Sequence, residues 1–294
     1  MRVVPRKRLN SSRCQPESSS RRKAVYFAAV LVLCGRLALS QGSPTAVPEA
    51  NPARPTVATP ATLTPVGYLQ FENGIFYAEH SQEFSGLFDL NQVTKLSVHP
   101  RLEFLLQSEP LAYSGLNGVR NVNAGDVLAG FQVVLLPGTE SRPTVALSYL
   151  QRVYAGAAPD VDFGTPEHSL LLLLSHDLSG FHFDINGMFN EQTDDVVRRA
   201  QFGQTISISH KAGKKFAIGG ELWHFTQPFA RSNAVGNLWA LSYQPRPNMV
   251  FDIGFQRGLT STSTRWETFA GFTYVLPHRL WKGNAEAPKT PPGQ

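Results

Sequence analysis

Residues 181–190 read FHFDINGMFN. Phe181, Phe183, Ile185 and Phe189 alternate with His182, Asp184, Asn186 and Asn190. A period of two sends neighbouring side chains to opposite faces of a strand, so one face is apolar and the other carries a carboxylate and amides. The pattern recurs. Ala200, Phe202, Ile206 and Ile208 alternate with Gln201, Thr205, Ser207 and Ser209. Met249, Phe251, Ile253 and Phe255 alternate with Asp252, Gly254 and Gln256. Trp266, Ala270, Phe272, Tyr274 and Leu276 alternate with Glu267, Gly271 and Thr273.

Working outward, twelve such segments lie near 66–78, 87–98, 101–112, 125–136, 143–154, 167–177, 181–190, 197–210, 215–226, 234–244, 248–257 and 265–276. Short turns at 99–100, 137–142, 178–180, 211–214 and 245–248 alternate with longer polar loops near 79–86, 113–124, 155–166, 191–196, 227–233 and 258–264. An even set of antiparallel strands with short turns at one end and long loops at the other predicts an all-β fold. It is a transmembrane up-and-down barrel with the short turns periplasmic. The competing reading is a soluble periplasmic sandwich, whose apolar face would be its core. Charges recurring on the polar face favour a wet lumen. So do aromatics near strand ends (Tyr77, Tyr149, Tyr154, Trp223, Trp239, Tyr243, Trp266 and Tyr274), read as interface girdles.

The ends read differently. Arg2, Arg6, Lys7, Arg8, Arg13, Arg21, Arg22 and Lys23 precede a short apolar run at 24–34 (AVYFAAVLVLC). Ala38 and Ser40 then offer small residues before Gln41. This predicts a signal peptide over 1–40, too short in its apolar run for a spanning helix; an uncleaved anchor is the weaker reading. Lipidation at Cys34 is disfavoured by bulky Leu33. Removing nine of the 27 Lys/Arg and one of the 22 Asp/Glu leaves 18 against 21. The basic balance therefore belongs to the leader, and no nucleic-acid partner is implied. Cys14 and Cys34 leave with it, so the mature chain needs no disulfide. Residues 41–65, rich in Pro, Ala and Thr, read as a disordered linker or tether, and 281–294 as a disordered tail. The barrel itself is expected over 66–280.

The segments also resemble a family. LQFENGIFYAEH with its Glu72, VTKLSVHPRLEFLL with Leu102-Glu103, and RPTVALSYLQRVYAG followed by HSLLLLLSHDLSGFHFDINGMFN are similar to the outer-membrane transporter family named for the MetA pathway of phenol degradation. FAIGGELWHF, with Gly220-Glu221, and the closing FDIGFQRGLTSTSTRWETFAGFTYVL resemble it too. The chain departs from the family at Val98-His99-Pro100-Arg101, where a Gly-containing turn is usual, and in the tail after its last strand. The resemblance implies uptake of small, often hydrophobic molecules.

Catalytic chemistry has little support. Ser175-His176 and Ser209-His210 are adjacent on strands, so each pair points to opposite faces and cannot act as nucleophile and base. Asp160, Asp162 and His168 at a loop rim read as a solvated acidic loop. The histidines lack metal-ligand spacing, and no Gly-rich loop opens a helix, so neither a metal nor another cofactor is expected. The candidate functional residues are the inward-facing charges Glu72, Lys95, Glu103, Arg152, Asp184, Glu221, Asp252 and Glu267. The expected function is a passive outer-membrane channel favouring cations or neutral solutes. Its partners are membrane lipid, a small solute, periplasmic chaperones and the barrel-assembly machinery. A plugged structural or adhesion barrel is the alternative, and an outer-membrane hydrolase ranks third.

Overall fold

A computed structural model describes residues 47–281 apart from 82, 163, 165, 195 and 196. The expected leader at 1–40 and nearly all of the expected tail lie outside these residues. Thirteen strands follow in order: β1 (Leu69–Glu79), β2 (Gly86–His99), β3 (Leu102–Leu116), β4 (Val119–Asn123), β5 (Val127–Leu136), β6 (Thr144–Tyr154), β7 (His168–Leu178), β8 (Phe181–Asp194), β9 (Val197–Ala212), β10 (Phe216–Gln227), β11 (Ser232–Arg246), β12 (Met249–Gly258) and β13 (Trp266–Val275). Each pairs antiparallel with its neighbours, and β1 pairs with both β2 and β13, so the sheet closes on itself. Twelve strands form the ring, as the alternation predicts. Closure leaves no edge with unpaired backbone groups, which a bilayer core requires of any sheet that spans it.

β4 is the addition. The stretch 113–124, expected as a polar loop, instead extends β3 and folds back through Asn117-Gly118, with φ of 52° and 82°. Asn-Gly suits the type I′ hairpin turn because both central residues need positive φ. Ser179-Gly180, with φ of 54° and 84°, makes the tight turn between β7 and β8.

The two faces separate as the period of two requires. Outside, Ile75, Phe104, Phe131, Leu172, Ile185, Phe202, Ile218, Leu241, Phe251 and Ile253 form an exposed apolar belt. Inside, Gln70, Gln132, Asn186, Gln201, Thr205 and Thr273 are buried. Water would reject that belt and lipid accepts it, so the barrel is a transmembrane one. Trp223 is a correction to the girdle reading. It faces inward, 2% exposed, and packs with Phe225, Ala234 and Val57. Even-numbered positions of β10 face the belt (Ile218, Leu222) and odd ones the lumen, so parity outweighs the aromatic preference for an interface.

Candidate functional site: a lumen closed on one side

The barrel wall is polar inside, and a polar wall can hold a chain that has no apolar face. Residues 47–65 use it. The composition predicts a disordered linker here; the structure instead threads this segment through the lumen. It passes the rim of short turns, where the Ala50 N–H donates to Pro247 O at 2.8 Å. It rises to Arg54, crosses the barrel at 57–59, and descends to Thr64 before β1 begins. Prolines at 48, 52, 55, 60 and 65 have no N–H to satisfy. Many of the other N–H groups meet wall side chains. Asn51 donates to Gln70, Thr59 to Asn186 at 2.6 Å, and Ala61 to Ser175 Oγ at 2.7 Å. The tether reading failed because it equated packing with an apolar stripe. Here backbone donors are satisfied one by one by lumen acceptors.

Three of the sequence-predicted carboxylates are the principal clamps. Glu72 accepts from the Ala53 and Arg54 N–H groups at 3.1 and 3.2 Å, and pairs with Lys95 at 2.5 Å. Glu221 accepts from Val57 and Ala58 at 2.8 and 2.7 Å. Glu103 accepts from the Thr64 N–H at 2.9 Å and from the hydroxyls of Thr64 and Ser97. Hydrogen bonds to an ionised acceptor are roughly twice as strong as neutral ones. Asp252 receives the Arg54 guanidinium at 3.3 Å, and Asn91 receives its other end at 2.6 Å. Room for Arg54 comes from Gly74 and Gly271, which face each other across β1 and β13. A Cβ on Gly74 would fall on the guanidinium, and one on Gly271 would come within 2.6 Å of its Nε.

The other predicted residues lie nearby but act differently. Asp184 accepts from Ser175 Oγ at 2.5 Å and lies 3.3 Å from His182 Nε2. Ser175 is thus tied to the segment and to Asp184, on the face opposite its neighbour His176. Arg152 bridges Asp126 at 3.2 Å and Glu167 at 2.5 Å near the long-loop rim. Glu267 accepts from Gln256 Nε2 at 2.9 Å.

Above the segment, toward the long loops, the lumen holds a cavity of about 370 Å³. Its wall mixes Phe76, Leu87, Leu150, Leu171, Met188 and Phe269 with Asp89, Glu109, Asp126 and Glu267. Sequence reasoning missed this apolar inner lining. A signal existed in the run 170–174, five leucines in succession, which makes both faces of β7 apolar. Leu171 and Leu173 point inward and pack with Ala61 and Leu105.

Residues 155–162 fold against the mouth of this cavity. Ala158 and Val161 pack on Phe84, Leu87 and Ala112. Asp162 accepts from the Thr264 N–H at 2.5 Å and its hydroxyl at 2.8 Å, while the Asp160 N–H donates to Glu83 at 3.0 Å. Asp162 is 8% exposed, so its expected place in a solvated loop is corrected. Burial pushes its carboxyl above the ordinary value, partly offset by the two Thr264 hydrogen bonds.

A closed barrel with a lipid-facing belt, a threaded lumen and one cavity beneath long loops defines a porin-like transmembrane barrel. The sequence matches the family described as "Putative MetA-pathway of phenol degradation" over residues 52–276, and the chain belongs to that family. No curated protein matches it. In fold it is similar to the COG4313 outer membrane channel from Pseudomonas putida F1, with a TM-score of 0.54 and 11% identity over 74% of this chain and 98% of that one. A looser likeness is to the NanC porin, with a TM-score of 0.48 and 12% identity over 71% of this chain and all (100%) of that one.

Proposed function

We propose that this protein is an outer-membrane channel for passive uptake of small molecules with apolar bodies, closed at rest on its short-turn side by segment 47–65. The observation that carries the reading is the cavity of about 370 Å³, lined by aromatic and aliphatic side chains and set between the long loops and the segment. Such a volume lies within the roughly 300–1,000 Å³ usual for small-molecule sites. A solute entering from the long-loop side reaches this cavity first and meets the segment next. Glu72, Glu103 and Glu221 hold the segment, with Lys95 neutralising Glu72 and Asp252 holding Arg54. Asp184 braces Ser175 beneath the segment. Arg152 holds Asp126 and Glu267 lines the cavity wall. Asp89, which no basic side chain neutralises, biases the cavity toward cations and neutral solutes over anions. Lipid surrounds the belt, and insertion of such a barrel calls for the assembly machinery and periplasmic chaperones.

A second reading, a permanently plugged structural barrel, is favoured by the hydrogen bonds that join the segment to strands around the ring. Solute influx into liposomes separates the two. A channel admits small solutes through the full chain, slowly and with a sharp size limit, and faster when 47–65 is loosened. A barrel that admits none in either state is structural.

A further inference from the structure

The cavity contains a carboxylate that no side chain among the described residues satisfies. Asp89 lies on the inner face of β2, 1% exposed; its polar contact is with the backbone of Leu90, and no side chain donates to either of its oxygens. Burying a charged group without a partner is costly, so a retained one marks a place where a partner arrives from elsewhere. The surroundings say what kind. Phe76 stands directly across from Asp89 in the register of β1 and β2, and Phe269 directly across from Phe76 in that of β1 and β13. Leu87 is the next inward residue on β2 and Ala112 lies opposite Asp89 on β3. Glu109 lines the cavity beside the register slip of β2 and β3 between Leu90 and Gln92, where two residues of β3 face one of β2. A bulge of this kind re-aims a side chain and commonly sits beside a functional site.

The two arginines nearest the cavity are committed elsewhere. Arg54 is held by Asp252 and Asn91, and Arg152 by Asp126 and Glu167. No ion pair joins a basic side chain to Asp89 or Glu109 among the described residues. A metal ion fits poorly, since no three His, Cys, Asp or Glu side chains there converge as ligands. Two carboxylates beside two phenyl rings suit a different guest. An ammonium or amidinium head can be shared between the carboxylates and take cation–π attraction from Phe76, while an apolar body lies along Phe269 and Leu87.

The geometry points to a binding site for a small organic cation with an apolar body, such as an arylalkyl amine in its protonated form, headed by Asp89 and Glu109 and bodied by Phe76 and Phe269. The inference deepens the channel reading by naming a solute class, but its test measures binding and needs no flux. Calorimetric titration of the full-length barrel in detergent would use 2-phenylethylammonium and its neutral counterpart 2-phenylethanol. The ammonium should bind at least about tenfold more tightly than the alcohol, as loss of a charge-assisted hydrogen bond requires. Asp89→Asn, which removes charge and breaks no side-chain hydrogen bond, should weaken ammonium binding about tenfold or more and leave the alcohol unchanged. Glu109→Gln should weaken it less, and heat-modifiable mobility on gels reports that each variant is folded. Equal affinity for ammonium and alcohol, or an Asp89→Asn barrel that binds the ammonium as well as the parent, would overturn the proposal. Should Asp89→Asn not fold, Glu109→Gln and Phe76→Leu replace it, and unchanged ammonium affinity in both overturns it equally. Amine binding without solute flux would sustain this site and sink the channel reading; flux without amine binding would do the reverse.

Discussion

The two halves of the lumen are built on opposite principles. Toward the short turns, Glu72, Glu103, Glu221 and Asp252 each have partners in segment 47–65 or its arginine. Toward the long loops, Asp89 has no side-chain partner, Phe76 and Phe269 face inward, and a cavity of about 370 Å³ is open. Similar carboxylates thus do different work. Where a chain threads past them they are clamps; where none does they remain available to a solute. The polar face of a strand identifies a lumen charge, but only the threaded segment decides which role it takes.

The largest effect is expected at Glu72. Glu72→Gln removes the charge, replaces one acceptor oxygen by an NH2 that only donates, and strands Lys95, buried beside it, without a counter-charge. Breaking a buried pair from one side costs about 3–5 kcal/mol. The variant should lose thermal stability markedly and release the segment to added protease. Retention of parental stability would mean that the short-turn half is not organised around this pair.

Glu221→Gln is a cleaner probe because no basic residue pairs with it. One N–H···carboxylate bond becomes neutral and the other loses its acceptor, because the Gln NH2 only donates, so the segment's hold weakens by about 1–3 kcal/mol. Faster hydrogen exchange at Val57 and Ala58, with the strands of the wall unchanged, is the expected outcome. Exchange as slow as in the parent would show that the clamp contributes nothing.

Gly74→Ala should act more locally. Its methyl group would land on the Arg54 guanidinium, and such overpacking costs about 1–3 kcal/mol. Arg54 should leave Asp252, and ion current should rise modestly. Gly187→Ala is the control, since a Cβ there meets nothing within 4 Å. A current rise in both, or in neither, would detach Arg54 from the closure.

The smallest effect concerns pH at the other end. Burial raises the Asp162 carboxyl in the docked loop, so docking takes up a proton. Docking therefore strengthens as pH falls toward that raised value and weakens as pH rises through it. A cysteine placed at Ala158 should react more slowly with an impermeant thiol reagent at acidic pH, after correction for the reagent's own pH dependence. Slower reaction at alkaline pH would reverse the sign and remove Asp162 from control of the loop.

Much of this architecture was legible in the sequence because the barrel is a repetition of one rule. Alternation along 181–190 and its counterparts placed twelve strands, and parity placed Asp184, Glu221 and Asp252 on the inner face. Two features escaped for physical reasons. Segment 47–65 is held by single hydrogen bonds to residues as distant as Glu221, and its own composition has no period to announce this. Leu171, Leu173 and Trp223 line the inside because cavity and segment need apolar neighbours there, against the simple rule of apolar outside and polar inside. The Asn117-Gly118 turn was readable and names its hairpin. The unpartnered state of Asp89 could be seen only with Phe76 and Glu109 placed around it.

The most direct test of the account compares single-channel currents in planar bilayers for the full chain and for a barrel lacking 47–65, each first shown by gel mobility to be folded. A small or absent current is expected in the full chain, and a stable, severalfold larger one after removal. Equal currents in the two would contradict it, because the segment could not then be what closes the short-turn half of the lumen.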